Sequence, residues 1–324
     1  MMTPDTTLKP GDRLDQFQLE KLVATSGMAT VYRALDTTTG QPVAIKVPHP
    51  EVESDPALYD RFTREQDIGT RIDHPGVMKV FPNPGRSQVY MVMEWLDGRL
   101  LRSILSEQGK LPEARAIKLT LGICAALEHI HAQGVVHRDL KPENIMVSGD
   151  DEVRLIDFGI AGQAGARRLT FANFSQNMGT PDYISPEQVK GKRGDGRSDV
   201  YALGVMLYEM LTGRVPFTGS NPFAVMNDRL LNPPPAPRSI NPEISPALQE
   251  ILYRALEKEP KHRYQSAHDM AQDLLHPEKV GIEPRRELEE GAKRQSPEFR
   301  RLLMYVGLVL VPVVLFGLLY LVSR

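Results

Sequence analysis

Near the middle of the chain, His137-Arg138-Asp139-Leu140-Lys141-Pro142-Glu143-Asn144 is followed, twelve residues past the asparagine, by Ile156-Asp157-Phe158-Gly159. Taken singly, an aspartate in such a loop is most often a turn or cap residue. Both motifs together at this spacing lower that reading: a loop carrying Asp139, Lys141 and Asn144, facing Asp157 across a hairpin, would bring a full set of groups together. That set matches what phosphoryl transfer from ATP requires. One carboxylate orients the attacking hydroxyl and accepts its proton. A second holds Mg²⁺ against the phosphates, and cations offset the charge spread over the phosphoryl oxygens.

These motifs resemble those of the protein kinases, and the resemblance runs from about Phe17 to Leu275. It implies that Asp139 is the base toward the substrate hydroxyl and that Asn144 and Asp157 hold Mg²⁺, with Mn²⁺ as an alternative metal. Lys141 resembles the lysine that marks serine/threonine specificity and reaches the transferring phosphate. Upstream, Val43-Ala44-Ile45-Lys46 closes a strand whose lysine, in the family, contacts the α- and β-phosphates and pairs with a helix glutamate. Glu65 is the expected partner, since Glu53 falls too early. For the adenine end the resemblance implies Met93 as gatekeeper and Glu94, Trp95 and Leu96 as hinge. Leu22, Val31, Ala44 and Met146 are expected around the ring. Gly179-Thr180-Pro181-Asp182-Tyr183-Ile184-Ser185-Pro186-Glu187 resembles the end of an activation segment and the platform for a peptide substrate. Thr180 matches a threonine that bridges the catalytic aspartate and lysine. Glu187 is expected to form a buried ion pair with Arg263, and Asp199 to brace the catalytic loop. The polar stretch between Gly159 and Gly179 offers Thr170 and Ser175, with Thr180, as regulatory candidates whose phosphates Arg138 could clamp.

One region departs from the family pattern. A phosphate-covering loop normally reads G-x-G-x-x-G, but here Ala24-Thr25-Ser26-Gly27-Met28-Ala29 keeps only the intervening Gly27. Glycine lets a backbone adopt left-handed angles and approach phosphates closely. A forced left-handed angle at Ala24 or Ser26 would cost roughly 1–2 kcal/mol, about tenfold in affinity. Ser26 could instead donate its hydroxyl to a phosphate. Nucleotide handling is therefore expected to be reduced or retuned rather than lost.

The hydrophobic pattern organises the rest. Phe17–Val23, Thr30–Leu35, Pro42–Val47, Val77–Phe81 and Gln88–Met93 read as strands, and Ala57–Ile72 as a charged amphipathic helix. From Arg99 onward helices dominate. One opens at Pro112 with Ile117, Leu121, Ala125 and Ile130 at helical spacing; others are predicted at Ser198–Leu211, Pro222–Leu230, Pro246–Leu256 and Ser266–Leu275. The expectation is an α+β bilobal fold: a flexible lead over 1–16, a β-rich small lobe over 17–96 and a helical large lobe over 97–275. A charged linker follows over 276–301. Leu302 to Val322 then runs 21 residues without a charge, about the hydrocarbon thickness of a bilayer as a helix. Arg300 and Arg301 precede it, which favours a cytoplasmic location for the long side.

Composition narrows the partners. A formal net charge of −2 gives no footprint for nucleic acid, and none is expected. Cys124 is the only cysteine and belongs to an apolar helix pattern, so it reads as core. The function expected is phosphorylation of protein serine and threonine by ATP at the inner or plasma membrane, with autophosphorylation. A catalytically weak, membrane-tethered scaffold is the alternative. The lipid bilayer and a second copy of the chain join protein substrates as expected partners. With two residues past the span, no extracellular domain is expected.

Overall fold

The structure is a computed structural model that describes residues 8–157 and 181–282. Two compact units divide the chain, Met1–Val280 and Gly281–Arg324, and the account below concerns the first. Its N-terminal part is a six-stranded antiparallel sheet in the order β1-β2-β3-β4-β6-β5. The strands are β1 (Arg13–Leu14), β2 (Phe17–Thr25), β3 (Ala29–Asp36), β4 (Pro42–Pro48), β5 (Val80–Phe81) and β6 (Met91–Glu94). Tyr32, Ala34, Val43 and Ile45 are buried with Phe17, Leu19 and Tyr90 as one core of the sheet. Between β4 and β5 lie α1 (Pro50–Ser54) and α2 (Pro56–Gly69). The second starts where Asp55 accepts the N–H groups of Ala57 and Leu58, with proline at the first helical position where its missing N–H costs nothing.

The larger part is helical, with a small three-stranded sheet at its edge made of β7 (Arg99–Leu100), β8 (Ile145–Val147) and β9 (Val153–Leu155). Its helices are α3 (Leu101–Gln108), α4 (Glu113–Ala132), α5 (Pro186–Val189), α6 (Gly196–Thr212), α7 (Pro222–Leu231), α8 (Pro237–Ile240), α9 (Pro246–Ala255) and α10 (Ala267–Leu275). Every residue of α6 from Ser198 to Leu211 is buried, the mark of a central helix packed on all sides. It stops at Gly213, which takes the left-handed angle (φ 74°) of a helix terminator.

The expected β-rich and helical parts are both present. The strand predicted over Val77–Phe81 shrinks to Val80–Phe81. Val77 instead forms an isolated parallel bridge to Leu155, and Met78 N–H donates to the Leu155 carbonyl. In α4 the helical period was right and the phase was not. The buried face is Ala116, Leu119, Thr120, Ile123, Cys124, Ala126, Leu127 and the expected Ile130, while Ile117 and Leu121 lie at its margin and Ala125 is exposed. Several apolar residues neighbour the stripe, so two phases fit the sequence and only the packing partners choose. Cys124 is buried, and burial pushes its thiol up to about 12.

Among the described residues no helix is long and apolar enough to cross a membrane. The stretch 302–322, most of the linker 276–301, and Thr170, Ser175 and Thr180 lie outside the described residues, as do Phe158 and Gly159.

Candidate active site

The strand β4 presents Lys46 and the helix α2 presents Glu65. Lys46 Nζ donates to Glu65 Oε1 at 2.5 Å and stands 4.0 Å from Asp157 Oδ1. Glu53, the discarded alternative, is exposed on α1. One cation thus faces two carboxylates. Burial and the charge of Asp157 push Glu65 up to about 7. Burial works to raise Asp157 as well, but Lys46, His137, Arg61 and a hydrogen bond from Glu65 together outweigh it and hold that carboxyl below its ordinary range. Burial likewise opposes the charge on Lys46, yet Asp157 and Glu65 prevail and raise its pKa.

The loop after α4 carries the second cluster. Lys141 Nζ lies 2.6 Å from Asp139 Oδ2. Asn144, buried in a short 3-10 turn over Pro142–Asn144, donates its side-chain N–H to the Asp139 carbonyl at 2.9 Å. That bond leaves the amide oxygen of Asn144 available. The Asn144 carbonyl also accepts the N–H of Ile156 at 3.0 Å, so the hairpin β8–β9 sets Asn144 and Asp157 side by side in the chain's hydrogen bonding. Asp199 at the start of α6 organises the loop: its Oδ1 accepts Arg138 N–H at 2.8 Å, and its Oδ2 accepts His137 N–H at 2.9 Å and meets His131 Nε2 at 2.7 Å. Arg138 itself has a positive φ of 65°, a strained angle for an arginine. Among the described residues its Nε and Nη1 are buried without a hydrogen-bond partner.

The apolar residues foreseen around a base are partly assembled. Ala44 and Met93 are buried in one cluster, with Val31, Trp95, Leu96, Met28 and Ile156 packed against it. Leu22 is 46% exposed and Met146 sits in β8, outside that cluster. The Glu94 carboxylate accepts the Lys79 N–H at 2.7 Å, and the Trp95 ring lies under the Arg33 guanidinium, 5.3 Å from its centroid.

The loop 24–29 corrects one expectation. None of its residues has a φ in the left-handed region, so replacing the glycines introduces no strain here. The Ser26 hydroxyl is used within the loop: it accepts the N–H of Ala29 at 3.1 Å and of Met28 at 3.3 Å, and donates to the Ala29 carbonyl at 3.0 Å. A side chain supplies the turn that glycine conformations would otherwise allow.

The Glu187–Arg263 pair is bidentate, with N–O distances of 2.8 and 2.6 Å and both groups buried. Sequence reading missed two connections around it. Gln188 Nε2 donates to the Arg138 carbonyl at 3.0 Å, while its Oε1 accepts both the N–H and the hydroxyl of Ser185. On the other side, Arg102 bonds Glu143 at 2.8 Å, Glu209 at 2.7 Å and the Tyr183 hydroxyl. These partners are 41 to 107 positions apart, and no local pattern announces them.

The donor set suits a hard divalent cation. Asp157 keeps its side chain 43% exposed beside the Lys46–Glu65 pair, and Asn144 offers its amide oxygen. Mg²⁺ characteristically takes one or two such protein oxygens and completes its shell with phosphates and water. Among the described residues no group of three or more His, Cys, Asp or Glu side chains could hold a metal without that help.

Comparison with known proteins agrees with this geometry. The family model of the protein kinase domain matches residues 17–276, and the chain belongs to that family. It is 40% identical over 265 residues to a chain of Streptomyces coelicolor named probable serine/threonine-protein kinase SCO3848, covering 80% of this chain and 39% of that one. It is 37% identical over 266 residues to the serine/threonine-protein kinase PknB of Mycolicibacterium smegmatis, covering 81% and 43%. The chain thus spans about two fifths of the length of these curated relatives. Among solved structures, the kinase domain of PknI from Mycobacterium tuberculosis superposes with a TM-score of 0.65 at 25% identity, covering 84% of this chain and all of that one.

Proposed function

We propose that this chain transfers the γ-phosphoryl group of ATP to serine and threonine hydroxyls of proteins, its own included. The observation that carries the reading is the Lys46–Glu65 bond at 2.5 Å with Asp157 at 4.0 Å from the same ammonium: a cation poised for phosphate beside a carboxylate poised for a metal. Asn144 and Asp157 would hold Mg²⁺ or Mn²⁺, which would supply Lewis-acid stabilisation of the phosphate charge. Lys46 orients the non-transferred phosphates. Asp139 accepts the proton of the attacking hydroxyl, and Lys141, 2.6 Å away, offers its charge to the transferring group. The cluster of Val31, Ala44, Met93 and Leu96 receives the base, with Leu22, Glu94 and Met146 at its rim and the backbone of 24–29, including Ala24, Ser26 and Gly27, over the phosphates. Arg138, with two guanidinium nitrogens unpartnered among the described residues, fits a phosphate on Thr170, Ser175 or Thr180.

The run 302–322 supports a single-pass anchor with the kinase domain cytoplasmic, behind a charged linker. Membrane lipid and a second copy of the chain are then its partners beside protein substrates.

The test is transfer of labelled phosphate by the purified full chain, with Mg²⁺ or Mn²⁺, with and without a generic basic protein. Label on serine or threonine is expected, and Asp139→Asn is expected to reduce it by about 10²–10⁴. Nucleotide binding without any transfer would sink the proposal in favour of a scaffold.

A further inference from the structure

We propose that Arg86 is a positioning residue for the Lys46–Glu65 pair, latching helix α2 to the sheet from outside the site. The inference rests on the kinase reading only for its consequence, not for its geometry. Of the fourteen residues of α2, only Phe62, Ile68 and Gly69 are buried, so apolar packing holds this helix lightly. Arg86 Nη1 donates to Gln66 Oε1 at 2.7 Å and to the Tyr90 carbonyl at 2.6 Å. Gln66 is the residue after Glu65. Tyr90 is the residue before Met91, which is the register partner of Lys46 across β4 and β6. Two ties therefore join the same two stretches of chain, one residue out of step.

Rotation makes the second tie matter. Consecutive helical residues point about 100° apart, so the Lys46–Glu65 bond alone leaves α2 free to roll about that contact. A bond through Gln66 on the adjoining side removes the roll. The latch is itself anchored. The Tyr90 side chain is fully buried, and its hydroxyl donates to Asp15 Oδ2 at 2.5 Å. The same oxygen accepts the Ser87 N–H at 3.1 Å. The loop carrying Arg86 is thus fastened to the turn between β1 and β2, at a residue whose own φ of 50° is held by these bonds. A hydrogen-bond path runs from Asp15 through Tyr90 and Arg86 to the helix that bears Glu65.

The experiment compares the full chain with Arg86→Ala, Gln66→Ala, the double variant and Gln66→Glu. It reads phosphoryl-transfer kcat, peptide KM and amide hydrogen exchange over 56–69. Each single alanine variant is expected to lower kcat about tenfold, the cost of one lost positioning bond. Peptide KM should stay within twofold and exchange over 56–69 should quicken. The double variant should fall no further than the worse single one, because both remove the same bond. Gln66→Glu keeps an acceptor for Arg86 and should stay within threefold of the parent. Single variants within twofold of the parent in both kcat and exchange, or a double variant showing the product of the two losses, would overturn the latch. A parent chain that transfers no phosphate would instead refute the kinase reading, and the exchange comparison alone would then decide the latch.

Discussion

Ser26 shows how a single side chain can replace a backbone freedom. Its hydroxyl closes the turn from Ser26 to Ala29 with three hydrogen bonds, in a loop where no left-handed angle is used. Ser26→Ala would leave two N–H groups without their side-chain acceptor and loosen the loop. A net hydrogen bond is worth roughly 1 kcal/mol, so ATP KM is expected to rise about fivefold while kcat stays within twofold, as steady-state kinetics at saturating peptide would measure. An unchanged KM would mean that the hydroxyl merely tidies a surface turn. At this scale the sequence was most legible where charge is concentrated. Asp139, Lys141 and Asn144 are joined in one cluster and Lys46 pairs with Glu65, because short motifs carry their own geometry. The local reading failed at the loop, since a missing glycine pattern does not say which conformation takes its place.

Among elements, α6 and α9 approach one another closely. A methyl group added at Gly204 would lie 2.8 Å from the Ala255 Cβ and 3.3 Å from Leu256 Cδ2. Both helices are buried there, so neither can retreat freely. Gly204→Ala is expected to destabilise the domain by about 1–3 kcal/mol, as overpacked cores do; a gain of stability in a denaturant melt would show that the helices yield and that helix propensity wins instead. The elements themselves were readable from periodicity and punctuation: Pro222, Pro246 and Ser266 each mark a helix start that the structure keeps. Short elements such as α1, α3, α5 and β7 were not. Their lengths of two to eight residues are too brief for a period to declare itself, and they exist because neighbours hold them.

For the whole molecule, long-range polar ties decide how the pieces are held. Arg263 and Glu187, 76 positions apart, join α5 to the chain beyond α9, and Ser198 at the head of α6 donates to the same carboxylate at 2.6 Å. Burial works to raise the Glu187 pKa, but Arg263 and Ser198 outweigh it and hold it below the ordinary 4.5. A carboxylate depressed in the folded state adds stability above its unfolded pKa, and this is lost as pH falls through the folded value. The parent should therefore lose stability below about pH 4.5 more steeply than Glu187→Gln. At neutral pH, breaking the buried pair should cost that variant about 3–5 kcal/mol. Unfolding midpoints measured between pH 3 and 7 check both, and parallel curves would rule out the assignment. The sequence by itself determined the class of fold, the loop that carries Asp139, Lys141 and Asn144, and the Lys46–Glu65 pairing, because motif spacing and apolar period are local properties that survive without a third dimension. Only the tertiary structure decided the phase of α4, the self-tied loop at Ser26, the Arg102 and Gln188 ties and the Arg86 latch. Each of these depends on which surfaces meet across dozens of residues, and hydrogen-bond partners that far apart leave no periodic trace in the chain.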